Sequence, residues 1–277
     1  MAQVIGVSKQ FVHANGTDLY CEVRGDGPAV LFISGATGDA GHFEKVAERL
    51  ADEFMAITYD RRGNSRSPKP TGWTTTSNAE QADDAAGLIE ALQLTPAAVV
   101  GNSGGAAIAL ELLLRHPTLV CGGILHEPIV FNPVIAQLPA IMAELEPGIK
   151  AAVSTGGPSA AAEFFIRVNA GEAALAAIDS DQRQRLRQNG EILLGIELES
   201  FLHYRPDEAV IAAVKRPVRV LIGTETLLPF APAVCGWLAA LVKTQVGTIS
   251  GGHGAYWDRP VQMAEELRPY LRDITAS

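Results

Sequence analysis

The sequence predicts an α/β protein in which helices cover a mostly parallel β-sheet. Three observations lead to this prediction. Short apolar runs alternate with longer Ala-, Leu- and Glu-rich runs, which is the pattern of strands that alternate with helices. The 277 residues are 47% hydrophobic and only 19% charged, which favours a sizeable core and excludes intrinsic disorder. A G-x-S-x-G pattern also stands where a predicted strand turns into a predicted helix.

The first half of the chain supplies most of the predicted strands. Phe11–His13 and Leu19–Val23 flank Asn15-Gly16, a dipeptide typical of a tight antiparallel hairpin. The short apolar runs after the hairpin predict strands, and the longer runs between them predict helices. The predicted strands are Ala29–Ser34, Phe54–Tyr59, Ala97–Gly101 and Val120–Leu125, and the predicted helices are Phe43–Leu50, Ala79–Leu92 and Ser103–Arg115.

The middle of the chain has a different composition. From residue 128 to residue 215 the β-branched runs disappear and helix-forming residues dominate, which predicts a helical insertion. An insertion of this kind in a parallel α/β sheet commonly acts as a lid, and the alternative is a domain that only enlarges the core. The chain is thus divided into a core of residues 1–127 and 216–277 and an insertion of residues 128–215.

Strands and helices alternate again after the insertion. Val218–Ile222 and Gln245–Ile249 predict two strands, and Ala233–Leu241 and Val261–Leu271 predict the helices that follow them. With these two strands the predicted sheet has eight strands, most of them parallel.

The composition excludes several classes of function. Lys and Arg number 22 against 31 for Asp and Glu, and the net charge of −9 repels phosphate backbones, so no nucleic-acid partner is expected. The N-terminus lacks the basic and apolar regions of a signal peptide, and no apolar stretch predicts a membrane span. Three scattered cysteines without a CxxC pair indicate a reducing compartment and predict a cytoplasmic protein. No cluster has the spacing of metal ligands, so neither a metal nor a cofactor is expected.

The strongest functional signal is Gly101–Gly105, with the sequence GNSGG. A sharp strand-to-helix turn holds its serine, Ser103, in strained backbone angles, and only very small residues two positions on either side avoid clashes. The hydroxyl then stands at the carboxyl edge of the sheet and at a helix N-terminus, where N–H groups favour an anion. This setting predicts that Ser103 is a nucleophile. The alternative is a helix start of small residues that packs on the sheet.

A serine hydroxyl needs a base, and His253 is the best placed of the six histidines. It lies in Ser250–Gly254 (SGGHG), directly after the last predicted strand, where small neighbours leave the imidazole free to reach towards Ser103. Serine first and histidine last is the chain order of one serine-hydrolase fold. The other histidines lie in a hairpin, at strand or helix ends, or in the insertion, and they are His13, His42, His116, His126 and His203.

From residue 12 to residue 271 the sequence resembles the α/β-hydrolase superfamily, in its serine hydrolase branch. Tyr59–Ser67 (YDRRGNSRS) is similar to the family's D-x-R-G-x-G-x-S loop, with Ser65 in place of the second glycine. Ser34–Ala36 (SGA) stands where the family has a His-Gly dipeptide. The resemblance implies an α/β-hydrolase fold with an inserted helical lid.

The resemblance also implies an oxyanion hole and favours one branch of the family. Its donors are the backbone N–H groups of Gly104 and Ala36, with Gly35 as the other candidate, and a hole made of backbone donors needs no particular side chain. A serine in place of an aspartate at the turn argues against the epoxide-hydrolase and dehalogenase branches.

The third member of a triad is where the sequence departs from the family. The usual G-x-x-D turn reads Gly223–Thr226 (GTET) here, so a threonine stands at the position of the acid. Glu127, in the sequence His-Glu-Pro at the end of a neighbouring strand, is the favoured acid, and Glu225 is the next candidate. In this respect the chain is similar to zearalenone-hydrolase-type lactonases and to actinobacterial hydrolases with a His-Glu-Pro sequence. The structural alternative for Glu127 is a cap on the first segment of the insertion.

These residues predict a serine hydrolase that cleaves an ester or lactone through an acyl-enzyme. Apolar stretches of the insertion, Ile141-Met142, Phe164–Ile166 and Ile192–Leu194, predict a mostly apolar small-molecule substrate. A homodimer is left open. Two alternatives stay open as well: a non-hydrolytic enzyme of the same fold (a lyase, a cyclase or a C–C bond hydrolase), and a binding protein on a hydrolase scaffold.

Overall fold

The computed structural model of the protein describes residues 6–130 and 138–276. An eight-stranded sheet lies at its centre, with the strand order β1-β2-β4-β3-β5-β6-β7-β8. The strands are β1 (Val7–Ala14), β2 (Thr17–Arg24), β3 (Ala29–Ile33), β4 (Met55–Tyr59), β5 (Ala97–Asn102), β6 (Val120–His126), β7 (Val218–Gly223) and β8 (Val246–Ile249). The predicted α/β class and the predicted number of strands are confirmed.

The sheet is parallel except at one side. β1 pairs antiparallel with β2, and β2 pairs antiparallel with β4, while all other neighbours run parallel. Every residue of β5 and β6 is buried, as expected of parallel strands that are covered on both faces. The carboxyl ends of these strands meet at one edge, where Asn102 pairs with His126 and His126 pairs with Leu221.

Helices cover both faces of the sheet. They are α1 (Glu44–Leu50), α2 (Asn78–Ala91), α3 (Gly104–Arg115), α4 (Leu138–Ala177), α5 (Ser180–Gln188), α6 (Gly190–Ile192), α7 (Leu198–Leu202), α8 (Glu208–Ala212), α9 (Ala231–Leu241), α10 (Ala255–Asp258) and α11 (Pro260–Thr275). Alternate residues of a strand face opposite sides, so Val30 and Phe32 join one hydrophobic cluster and Leu31 and Ile33 join the other. α1 and α11 belong to the first cluster, and α2 and α3 belong to the second.

The helices α4 to α8 lie between β6 and β7 and form the helical insertion. α4 is broken at Gly156, Gly157 and Gly171, and the last two of these have φ values of 68° and 90°. Glycine adopts such angles without a steric cost. A π-helical turn, Leu193–Glu197, joins α6 to α7. Because of the breaks, the 3.6-residue periodicity of α4 is not continuous along its length.

The ends of several elements differ from the prediction. β1 begins at Val7, the helix predicted from Phe43 begins as a 3₁₀ turn at Ala40–Phe43, and α11 continues to Thr275. Ends carry the weakest sequence signal, because the last turn or rung depends on tertiary contacts. Within residues 6–130 and 138–276, no helix combines the length and the apolar character that crossing a membrane requires. The predictions for residues 1–5 and 131–137, and for the side chain of Met142, lie outside the described residues.

Candidate active site

Ser103 occupies the tight turn between β5 and α3. Its backbone has φ 58° and ψ −128°, a conformation that is strained for a residue with a Cβ. A Cβ on Gly101 would lie 2.4 Å from the carbonyl oxygen of Gly105, and a Cβ on Gly105 would lie 2.1 Å from that of Ile33. Only glycine therefore fits at these two positions. The Ser103 N–H donates to the carbonyl oxygen of His126 at 3.0 Å, which holds the turn against β6.

The predicted oxyanion residues surround Ser103. A Cβ on Gly35 would lie 2.8 Å from the Cβ of Ser103, so the loop after β3 passes directly beside the serine. Gly104 is the first residue of α3, and its N–H has no acceptor within the helix. Ala36 lines the same two cavities as Ser103. The structure thus brings Gly35, Ala36 and Gly104 together around the serine.

Glu127 and His253 contact each other at the same edge. Glu127 Oε2 lies 2.7 Å from His253 Nδ1, and Glu127 Oε1 accepts the backbone N–H of Gly223 at 2.9 Å. Burial by itself raises the pKa of Glu127, but the hydrogen bond and charge of His253, with smaller contributions from His126 and the Thr226 hydroxyl, lower it to about 2. Glu127 is therefore an ionised acceptor, and His253 Nδ1 carries the proton in this contact.

The other candidate acid points elsewhere. Glu225 forms an ion pair with Arg259 at 2.7 Å, and its side chain is 57% exposed. The alternative role of Glu127, as a cap on the first segment of the insertion, also finds no support. Its carboxylate bonds to Gly223 and to His253, and both of these residues lie outside the insertion.

Two buried residues beside the predicted ones take part in the site. His126 Nδ1 accepts a hydrogen bond from Asn102 Nδ2 at 3.0 Å, and the same amide donates to the backbone carbonyl of His253 at 3.3 Å. Burial lowers the pKa of His126 to about 4, so the imidazole is neutral and serves as an acceptor. These hydrogen bonds of Asn102 were not predicted from the sequence. The available signal was adjacency, because Asn102 precedes Ser103 and His126 precedes Glu127.

A cavity of about 50 Å³ lies over Ser103, and its lining is almost entirely apolar. The insertion contributes Ile129, Ile141, Leu145, Phe165, Asn169, Leu198, Phe201 and Leu202, and the core contributes Ala36, Gly104 and Phe230. A second, smaller cavity contains both Ser103 and His253, together with Phe165 and Asn169. Among the described residues, no group of His, Cys, Asp and Glu side chains is arranged to hold a metal ion.

Three of the apolar residues singled out in the insertion lie away from this cavity. The ring of Phe164 lies over Gly148, where a Cβ would approach it to 2.1 Å. Ile192 packs with Trp73, and Leu193 belongs to a core cluster. Phe165, the neighbour of Phe164, lines the cavity instead.

The comparison with known families agrees with this geometry. A model of the alpha/beta hydrolase family matches residues 30–266. The chain belongs to the alpha/beta hydrolase family. An uncharacterized hydrolase of Bacillus subtilis strain 168, YraK, is 29% identical over 266 residues, which cover 92% of this chain and 93% of that protein.

Solved structures of alpha/beta hydrolases share the fold. An esterase from Thermogutta terrifontis has a TM-score of 0.75 at 22% identity, over 97% of this chain and 99% of its own. Est816, described as an N-acyl homoserine lactone degrading enzyme, has a TM-score of 0.71 at 20% identity, over 94% of this chain and 100% of its own. The likeness to zearalenone-hydrolase-type lactonases stays a prediction.

Proposed function

We propose that this alpha/beta hydrolase cleaves a carboxylic ester or lactone of a mostly apolar small molecule through an acyl-enzyme. The observation that carries the proposal is the 2.7 Å contact between the ionised Glu127 and His253, at the edge where the strained Ser103 stands. A carboxylate in this position holds the imidazole in the tautomer whose Nε2 accepts a proton.

In the proposed reaction, Ser103 Oγ attacks the carbonyl carbon while His253 Nε2 takes its proton. The electron pair of the C=O bond moves onto the oxygen, and the N–H groups of Gly104 and Ala36 stabilise the oxyanion. The intermediate then expels the alcohol oxygen, which takes the proton from His253. Water, activated by the same imidazole, attacks the acyl-enzyme and releases the acid. Glu127 stabilises the imidazolium in both halves.

The lining of the cavity supports an apolar substrate. The side chains over Ser103 are mostly aliphatic or aromatic, and Asn169 is the polar side chain that the insertion contributes. The insertion supplies most of this lining, which supports a lid role for residues 128–215 over a core of residues 1–127 and 216–277. An esterase and an enzyme described as degrading N-acyl homoserine lactones share this fold, which is why esters and lactones come first.

A fluorophosphonate probe tests the proposal. We expect the probe to label one peptide that contains Ser103, and we expect Ser103→Ala to abolish labelling. The variant should also lose hydrolysis of p-nitrophenyl esters or macrolactones by about 10⁴-fold. Ser154→Ala, which changes an exposed serine of α4, is the matched control and should behave as the wild type.

The outcomes separate the alternatives. More than about a tenth of wild-type hydrolysis in folded Ser103→Ala would contradict the acyl-enzyme. Labelling of Ser103 without hydrolysis of any ester or lactone would favour a non-hydrolytic enzyme, and no labelling at all would favour a binding protein.

A further inference from the structure

Arg61 lies directly behind the loop that carries Ala36. Its side chain is fully buried. Arg61 Nε donates to the carbonyl oxygen of Ser34 at 2.9 Å, and Nη2 donates to that of Gly35 at 2.8 Å. The Gly35 oxygen also accepts the N–H of Gly38 at 3.2 Å. The guanidinium therefore holds two successive peptide groups of the loop at once.

The bond to Gly35 has a consequence for Ala36. The peptide group between them is planar and trans, so its C=O and its N–H point in opposite directions. A donor that fixes the Gly35 oxygen on one side of the loop thereby fixes the Ala36 N–H on the other side. Ala36 and Ser103 line the same cavity, and the proposed function assigns the Ala36 N–H to the oxyanion there.

The charge of Arg61 is balanced by a residue of the insertion. Glu197 is fully buried in the π-helical turn, and its two carboxylate oxygens lie 2.6 Å and 2.8 Å from Arg61 Nη1 and Nη2. Asn64 Nδ2 donates to the same carboxylate at 2.9 Å. A buried guanidinium without its partner is strongly unfavourable, so Glu197 stabilises Arg61 in its place at the loop.

The same guanidinium also contacts Phe201, the side chain that packs against Gly104, the other predicted oxyanion donor. Arg61 lies over the ring of Phe201 at 5.5 Å, and a Cβ on Gly104 would lie 2.6 Å from that ring. A second bond joins the insertion to the loop, because Asn189 Nδ2 donates to the carbonyl oxygen of Thr37 at 2.8 Å.

We propose that Arg61 is the positioning residue of the oxyanion hole, and that Glu197 makes the hole complete only when the insertion is docked. The inference rests on the proposed function, because it assigns the Ala36 N–H to the oxyanion. Arg61 does not touch the substrate. It acts through the peptide group of Gly35 and Ala36, so its loss weakens binding of the transition state more than binding of the substrate.

The chain provides a matched control for Arg61 at the next position. Arg62 is also buried and also pairs with a buried carboxylate, since its Nε donates to Asp84 at 2.8 Å. Its other partners are the Glu80 carboxylate, at 3.3 Å, and the carbonyl oxygen of Asn15, at 3.0 Å, and neither belongs to the oxyanion loop. Arg61→Lys and Arg62→Lys therefore make the same chemical change in two similar pairs, of which one holds the loop.

The test compares kcat, KM and the affinity for an alkyl trifluoromethyl ketone, whose adduct with Ser103 carries an oxyanion. In folded Arg61→Lys, we expect kcat and ketone affinity to fall together by about 100-fold, while KM changes by less than about threefold. In Arg62→Lys, kcat and ketone affinity should stay within about threefold of the wild type. Glu197→Gln is the second variant, and it should lower both quantities by about tenfold because it leaves Arg61 without a counter-charge.

Three results would overturn the inference. These are a folded Arg61→Lys with kcat within about threefold of the wild type, equal losses in Arg61→Lys and Arg62→Lys, or failure of both Arg61→Lys and Glu197→Gln to fold. The last result would make the pair structural. If the wild type forms no adduct with the ketone, the proposed function fails, and that result is distinct from the other three.

Discussion

Glu127→Gln is the sharpest test of the proposed triad, because the amide differs from the carboxylate only in charge and in one donor group. The pKa of Glu127 falls from its ordinary 4.5 to about 2, although burial alone would raise it. At about 1.4 kcal/mol for each pKa unit, the site favours the carboxylate over the neutral acid by about 3 kcal/mol. A glutamine side chain is neutral, so the variant loses the stabilisation that the site gives to a negative charge.

The hydrogen bonds make the loss specific. Glu127 Oε1 accepts the N–H of Gly223, and Oε2 accepts the Nδ1–H of His253. A glutamine offers one acceptor oxygen, and the backbone donor of Gly223 cannot change, so the NH₂ group faces His253. The imidazole then exposes Nδ1 as the acceptor and carries its proton on Nε2, which is the wrong tautomer for taking a proton from Ser103.

We expect kcat/KM of Glu127→Gln for a p-nitrophenyl ester to fall by about 10³-fold, and labelling by the fluorophosphonate to slow to a similar degree. Near-UV circular dichroism should be unchanged. Glu225→Gln is the matched control, since Glu225 is exposed and pairs with Arg259, and its activity should stay within about twofold. Activity of folded Glu127→Gln within about tenfold of the wild type, or a larger loss in Glu225→Gln, would refute the assignment.

Three further predictions concern specificity and stability. Phe165→Ala should enlarge the cavity and shift the preferred acyl chain by several carbons, measured on an ester series, and an unchanged preference would contradict the lining. Asn169 Nδ2 donates to the carbonyl of Phe165, which leaves the side-chain oxygen of Asn169 as an acceptor. Asn169→Leu should therefore lower kcat/KM by about tenfold only for substrates with an O–H or N–H near the scissile carbonyl. Equal losses for matched substrates without that donor would contradict this role. Burial lowers the pKa of His42 from 6.5 to about 4, so as pH falls from 7 to 5 the unfolded chain gains a proton that the folded one does not. His42→Gln should therefore abolish about 2 kcal/mol of the stability lost over that range, measured by urea unfolding, and an unchanged loss would refute it.

The sequence predicts the residues of the candidate triad because each carries a local signal. Glycines mark the turn of Ser103, small residues surround His253, and a missing aspartate at Thr226 directs attention to the neighbouring strand end of Glu127. The strand order then accounts for the position of Glu127, since β6 is adjacent and parallel to β7, the strand that precedes the turn of Thr226. These signals are short-range patterns combined with one rule of topology.

Contacts across the insertion carry no such signal. Arg61 and Glu197 are separated by 136 positions, and neither stands in a pattern that points to the other. The helix breaks at Gly156 and Gly171 also interrupt the periodicity that would show which of two adjacent phenylalanines faces the cavity. The packing of the insertion on the core decides these contacts, and that packing depends on many weak terms rather than on a motif.

Ser103 and Glu127 are held by the same device, one strand apart. Both have positive φ, 58° and 45°, and both follow the last residue of a parallel strand. The N–H of Ser103 donates to the carbonyl of His126 on β6 at 3.0 Å, and the N–H of Glu127 donates to that of Leu221 on β7 at 2.9 Å. Each bond adds one rung to the ladder beyond the regular strand, and this rung offsets the strain of the turn. The candidate acid and the candidate nucleophile are therefore held by the sheet, while the insertion supplies most of the cavity lining and the carboxylate that balances the charge of Arg61. We therefore expect changes in the cavity-facing insertion residues to alter specificity without moving the contact between Glu127 and His253.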